Sequence, residues 1–205
     1  MLELFNKPAF IVFSTRDFAA ASGSTMPAAS KRLNRLAQKQ FLTRVTKGLW
    51  ANASHPHFHP LACVPYLLGK EHGYVSFLTA LHLEGVISQI PRAIQVATTG
   101  RGRTLDSPFG QFEFLRVKPE LMREGIDWSD TRQPYLIATR EKALLDVVYL
   151  STRKNRRFAK LPELDLADSG FRPSEFERLL HELPYPVRIR SAIQSCWRTL
   201  SDFEK

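Results

Sequence analysis

The sequence predicts an α+β protein in two parts, a small basic unit of helices and a hairpin followed by a mixed α/β domain. Three observations predict it. Residues 14–52 read as a helix, a glycine turn, a second helix and a hairpin. Residues 1–54 hold eight basic side chains against two acidic ones, a net of +6, and no carboxylate occurs between Asp17 and Glu71. Beyond residue 73, helical apolar stripes alternate with short strand-like runs, the pattern of a sheet with helices packed on it.

The first helix opens at Ser14-Thr15-Arg16-Asp17, a hydroxyl followed three residues later by a carboxylate, which is a capping box. Phe18, Ala19, Ala21 and Ser22 continue it, and Gly23 supplies the stop. Ser24 or Thr25 is then expected to cap a second helix, with Pro27 in its first turn. Ala29, Leu33 and Leu36 recur at i, i+4, i+7 as one buried stripe, so Lys31, Arg32, Asn34, Arg35 and Gln38 face outward. Phe41–Val45 reads as a strand, Thr46-Lys47-Gly48 as a tight turn and Leu49–Asn52 as the returning strand. Helix, turn, basic helix and hairpin together are a winged helix-turn-helix pattern.

Such a unit, kept clear of acids, suits a polyanion. Lys31, Arg32, Arg35, Arg44 and Lys47 are expected to draw it to the phosphate backbone of double-stranded DNA. Ser24 and Thr25, at the start of the second helix, can meet phosphates through hydroxyl or N–H groups. Lys31, Arg32, Asn34 and Arg35 are the side chains expected at base edges, since Arg reads guanine and Asn reads adenine in the major groove. Arg32 and Arg35 are expected to share one exposed face.

Residues 55–73 are rich in His, Pro and Gly and read as a linker or junction. His55, His57 and His59 alternate, which on a strand would align three imidazoles. Pro56 and Pro60 oppose a strand there, so a linker is expected rather than a metal site.

Residues 74–205 form the predicted C-terminal domain. Ser76 is expected to cap a helix over Phe77–Glu84 that stops at Gly85. Ala93–Thr98, Phe109–Val117 and Tyr135–Ala138 read as strands, with an exposed basic loop at Arg101, Gly102 and Arg103. Thr139 is expected to cap a helix bearing Ala143, Leu144, Val147, Val148 and Leu150, ending in Arg153, Lys154, Arg156 and Arg157. Ser174 and Glu177 read as a second capping box ahead of Phe176, Leu179, Leu180 and Leu183. A last helix is expected to bury Ile189, Ala192, Ile193, Cys196 and Leu200.

No catalytic pattern emerges. Gly100-Arg101-Gly102 lacks the third glycine of a dinucleotide loop, and Glu141 and Asp146 lie five apart on one helix, suited to capping and surface pairing. Cys63 and Cys196 are too few for a disulfide framework or a zinc site. The chain is therefore read as a non-enzyme needing no cofactor or metal. The apolar stretch near the start, Ala9–Phe13, is far short of the about 20 residues a membrane span needs, and no secretory leader is recognisable, so a cytoplasmic location is expected.

The order of several segments resembles the AbiEi-type antitoxins of type IV toxin–antitoxin and abortive-infection systems. The matching pieces are Lys47-Gly48-Leu49-Trp50, Tyr74-Val75-Ser76-Phe77-Leu78-Thr79-Ala80-Leu81, Ser88-Gln89-Ile90-Pro91 and Ile137-Ala138-Thr139-Arg140-Glu141-Lys142-Ala143-Leu144-Leu145-Asp146. They span about residues 10–150, and the last fifty residues match less clearly. The resemblance implies a transcriptional repressor that binds inverted repeats in its own promoter and counteracts a nucleotidyltransferase-like toxin, with antitoxicity in the C-terminal domain. Whether it acts as a monomer or a DNA-assembled dimer stays open. Two other readings stand beside it, an antitoxin that contacts its toxin directly and an RNA-binding adaptor.

Overall fold

A computed structural model describes residues 2–153, 157, 158 and 160–202. Its N-terminal elements are β1 (Val12–Ser14), α1 (Thr15–Ala21), α2 (Met26–Gln38), β2 (Thr43–Thr46) and β3 (Leu49–Ala51). The Ser14 hydroxyl accepts from the Asp17 N–H at 3.2 Å, and the Asp17 carboxylate accepts from the Ser14 N–H at 2.8 Å, so the capping box is complete. Gly23 takes a φ of +59°, which lets the N–H of Ser24 reach back to the Ala19 carbonyl and end α1. Thr25 holds the cap position of α2, but its hydroxyl makes no capping bond; the Ser24 hydroxyl pairs with Ser22 instead, at 2.7 Å.

The three strands form an antiparallel sheet in the order β1-β3-β2. β1 has no counterpart in the sequence expectation, because three residues are too short to show a period. It encloses a core of Phe13, Phe18, Ala29, Leu33, Leu42 and Trp50, joined by Phe5 and Phe10 from short 3₁₀ turns. The Trp50 indole donates to the buried Thr15 hydroxyl at 2.9 Å, which satisfies the one polar group that a buried tryptophan brings with it.

The segment expected to join the halves is packed. It holds a 3₁₀ turn (Pro60–Cys63) and α3 (Val64–Leu68), with Leu61, Ala62, Cys63 and Val64 buried. These residues share one cluster with Ile11, Val12, Val45 and Leu49 on one side and Val75, Val96, Phe112 and Phe114 on the other. His55 and His59 act there as turn acceptors, each imidazole taking the N–H two residues on.

The second sheet has six strands: β4 (Gly73–Val75), β5 (Ala93–Thr98), β6 (Arg103–Ser107), β7 (Gly110–Arg116), β8 (Ile126–Trp128) and β9 (Leu136–Ala138), in the order β6-β7-β5-β4-β9-β8. β5 matches its expected bounds. Arg103, expected in a loop, instead begins β6, because Arg103–Ser107 pairs antiparallel with β7 as a hairpin. Alternate residues serve opposite faces: Val75, Val96 and Phe114 meet the junction, while Tyr74, Ala97 and Leu115 meet the helices.

Those helices are α4 (Phe77–Leu83), α5 (Arg140–Ser151), α6 (Pro173–Glu182) and α7 (Val187–Asp202). α5 is the central one, with every residue from Glu141 to Leu150 buried. This corrects the expectation for Glu141 and Asp146, neither of which is at the surface. Glu141 accepts from the Arg172 N–H at 3.0 Å. Asp146 accepts from the Lys142 ammonium, the Tyr74 hydroxyl at 2.7 Å and the Ser76 hydroxyl at 2.8 Å. Helical spacing assigns faces only when one face is wet, and here none is.

Three smaller corrections have local causes. α6 is capped at Arg172 with Pro173 in its first turn, so Ser174 lies inside the helix and forms no capping box. α5 ends at Ser151, so Arg153 and Arg157 follow the helix rather than close it; Lys154 and Arg156 lie outside the described residues. Ala192 on α7 faces solvent, and Trp197 takes a core position beside Ile193. Among the described residues no helix is long and apolar enough to cross a membrane.

Candidate nucleic-acid interface

The outward face of α2 follows from its buried stripe. Ala29 and Leu33 are fully buried and Leu36 partly so, which turns the opposite side of the helix to solvent. Pro27, Ser30, Lys31, Asn34, Arg35 and Gln38 line one shallow groove along it. Lys31, Asn34 and Arg35 are thus brought together. Asn34 donates to the Ser30 carbonyl at 2.9 Å, one turn back, which orients its amide along the helix. Gln38, which the sequence turns outward, stands four residues from Asn34 and so on the same row.

Arg32 is placed differently. Its guanidinium lies 5.9 Å from the centre of the Phe18 ring, at the crossing of α1 and α2, and the side chain is only partly exposed. Positions 32 and 35 are three apart, yet Arg35 shares its groove with Lys31 and Asn34 and not with Arg32. The apolar ring of α1 offers Arg32 a partner that sequence spacing within α2 does not reveal.

The hairpin joins the same unit. The Gly48 carbonyl accepts from the Thr15 N–H at 2.9 Å, which ties the turn to the start of α1, and Gly48 itself has a φ of +81°. Lys47 beside it is exposed. The Arg44 guanidinium donates to the Thr46 carbonyl at 3.3 Å and lies 5.8 Å from the Trp50 ring centre. Of the two residues expected at phosphates, Thr25 is exposed and Ser24 partly so. α2 carries no acid in its first turn, so its N-terminal N–H groups present an uncompensated positive end.

The unit is fixed to the rest of the chain at two levels. Gln133, from the loop before β9, grips β1: its carbonyl accepts from the Val12 N–H and its amide donates to the Val12 carbonyl, both at 2.9 Å. Beneath that clamp lies the shared apolar cluster. Among the described residues no group of three or more His, Cys, Asp or Glu side chains is placed to hold a metal ion.

Sequence comparison adds no family: no protein-family model matches the chain, and no curated protein matches it.

Proposed function

We propose that the N-terminal unit is a winged helix-turn-helix that binds duplex DNA, and that the protein is a cytoplasmic repressor and antitoxin acting on its own operon. One observation carries the DNA reading: a single exposed face of α2 gathers Lys31, Asn34, Arg35 and Gln38, and Arg44 and Lys47 stand on the hairpin of the same unit. In this reading α2 enters the major groove. Arg35 reads guanine as a bidentate donor, Asn34 turns from the Ser30 carbonyl to adenine, and Lys31 serves base or phosphate. Thr25 and the first N–H groups of α2 anchor a phosphate. Arg44 and Lys47 follow the backbone from the hairpin, and Arg32 stiffens the helix pair while its charge adds to the field.

The test is a footprint on the DNA upstream of the gene, with competition by a scrambled duplex at several salt concentrations. A protected inverted repeat, bound more tightly than the scrambled duplex, is expected. Equal binding to any duplex, with no protected region, overturns the repressor reading.

The antitoxin part rests on the family resemblance. A second observation favours direct contact with a partner protein: Trp128 and Leu83 are exposed by 66% and 45% and line one cleft of the C-terminal half. Co-purification with the product of the neighbouring gene, lost in Trp128→Ala, supports direct contact. Protection of cells without co-purification favours indirect antagonism.

A further inference from the structure

The six-stranded sheet ends on one side at β8, and its hydrogen-bond pattern fixes what that edge offers. The N–H of Ser129 donates to the Tyr135 carbonyl and that of Thr139 to the Gly125 carbonyl, both at 2.9 Å. Residues 125, 127 and 129 thus turn their backbone groups toward β9. The N–H and C=O groups of Ile126 and Trp128 point the other way, where no strand lies beside them. Register places the side chains as well. Asp127 stands opposite Ile137, and Ile137 beside Val75, which puts Asp127 on the junction face of the sheet. Ile126 and Trp128, opposite Ala138 and Leu136, take the helix face, where Trp128 lines a cleft with Leu83 of α4.

The charge along this edge is unbalanced. Of the charged groups that line the cleft, Arg140 pairs with Glu84 at 3.2 Å and Arg172 with Glu141 at 3.5 Å. Asp127 and Asp130 are exposed, and among the described residues neither has a cationic partner. A second copy of the chain is a poor occupant of the edge. The self-complementary antiparallel register that uses both outward residues sets the two Asp127 carboxylates directly opposite each other, where like charges repel. The same carboxylate attracts a cation.

We propose, on the direct-contact reading of the Trp128 cleft, that β8 docks an extended segment of another protein as a seventh, antiparallel strand. That segment carries lysine or arginine opposite Asp127 and apolar residues on either side of it, against Ile126 and Trp128. Main-chain bonds to residues 126 and 128 hold the strand, and the alternation of its side chains selects it. The residue opposite Asp127 falls in a non-hydrogen-bonded pair, the closer kind, with Cα atoms about 4.5 Å apart, so its cation meets the carboxylate directly.

Amide NMR of the full chain tests this, titrated with a blocked heptapeptide that has lysine at its centre between two valines, and with its glutamate counterpart. Saturable shifts at the Ile126 and Trp128 amides are expected, with the lysine peptide bound about fivefold more tightly. Asp127→Lys reverses the preference. Trp128→Pro removes an outward N–H that β9 does not use and abolishes binding, whereas Trp128→Thr keeps the N–H and only weakens it. Asp106→Lys, on the opposite edge strand β6, leaves both affinities unchanged. No saturable shift at residues 126 and 128, or a preference that survives Asp127→Lys, overturns the proposal. Co-purification of the neighbouring gene product that survives Asp127→Lys and Trp128→Pro overturns strand addition while direct contact stands. Charge-selective peptide binding without co-purification supports strand addition and overturns contact with that product.

Discussion

Asp146→Asn isolates what the buried charge cluster contributes. Asp146 and Lys142 are both 0% exposed, and the carboxylate is the common acceptor for Lys142, Tyr74 and Ser76. Asparagine keeps one oxygen for the two hydroxyls but removes the counter-charge of the ammonium. Removing one partner of a buried pair costs about 3–5 kcal/mol, against about 0–1 kcal/mol for a surface pair. The lysine limits the loss by giving up its proton, which from an ordinary value near 10.4 costs at most about 4.6 kcal/mol at pH 7. We therefore expect a loss of about 3–5 kcal/mol, or about 6–20 °C in Tm for a chain of this size.

Burial already holds the Lys142 ammonium below its ordinary range. Without Asp146 it is neutral in the folded state and charged in the unfolded one. The unfolded chain then binds one more proton, so the variant's stability climbs with pH, by about 1.4 kcal/mol per unit, until the unfolded lysine titrates near pH 10. Adding Lys142→Met removes the orphaned charge and recovers most of the loss. Urea unfolding followed by tryptophan fluorescence at pH 7, 8 and 9 measures all three. A loss under about 1 kcal/mol in Asp146→Asn, or a double variant as unstable as the two single losses combined, refutes the reasoning.

Three further predictions follow from other parts of the molecule. Arg35→Ala weakens operator binding and relaxes base preference by about 1–3 kcal/mol, whereas Lys47→Ala weakens operator and scrambled duplexes alike and lowers the salt slope by about 0.9; binding isotherms on both duplexes decide, and discrimination lost only in Lys47→Ala makes the hairpin the reader. Burial pushes the Cys63 thiol up to about 12 from its ordinary 9.0, so it resists thiol reagents at pH 8 in the folded protein and reacts in denaturant. The stability this contributes is complete below pH 9.0 and is lost as pH rises toward about 12, and rapid labelling of native Cys63 would contradict the burial. A fragment beginning at Tyr74 loses Ile11, Leu61 and Val64 from the cluster around Val75, Val96 and Phe112 and melts without a cooperative transition; a sharp native-like melt shows that the C-terminal half folds alone.

The α1–α2 pair and its outward face were legible in the sequence because capping, a glycine stop and one wet side leave local marks. Ser14, Asp17 and Gly23 interact within a few residues of one another, and Ala29, Leu33 and Leu36 keep the helical period because the other side meets water. The clamp of Gln133 on Val12 and the direction of Arg32 are not legible there, since each joins groups distant in sequence or on different elements. The α5 cluster escapes sequence reading for another reason. A helix buried on all sides has no period from which to infer a surface, so only the tertiary structure decides that Lys142 and Asp146 lie inside. Sequence by itself determined the α+β class, the basic N-terminal unit and the outward row of Lys31, Asn34 and Arg35 on α2. Tertiary packing decided which of those charges stand together, because contacts between α1, α2 and the hairpin lie outside any local period.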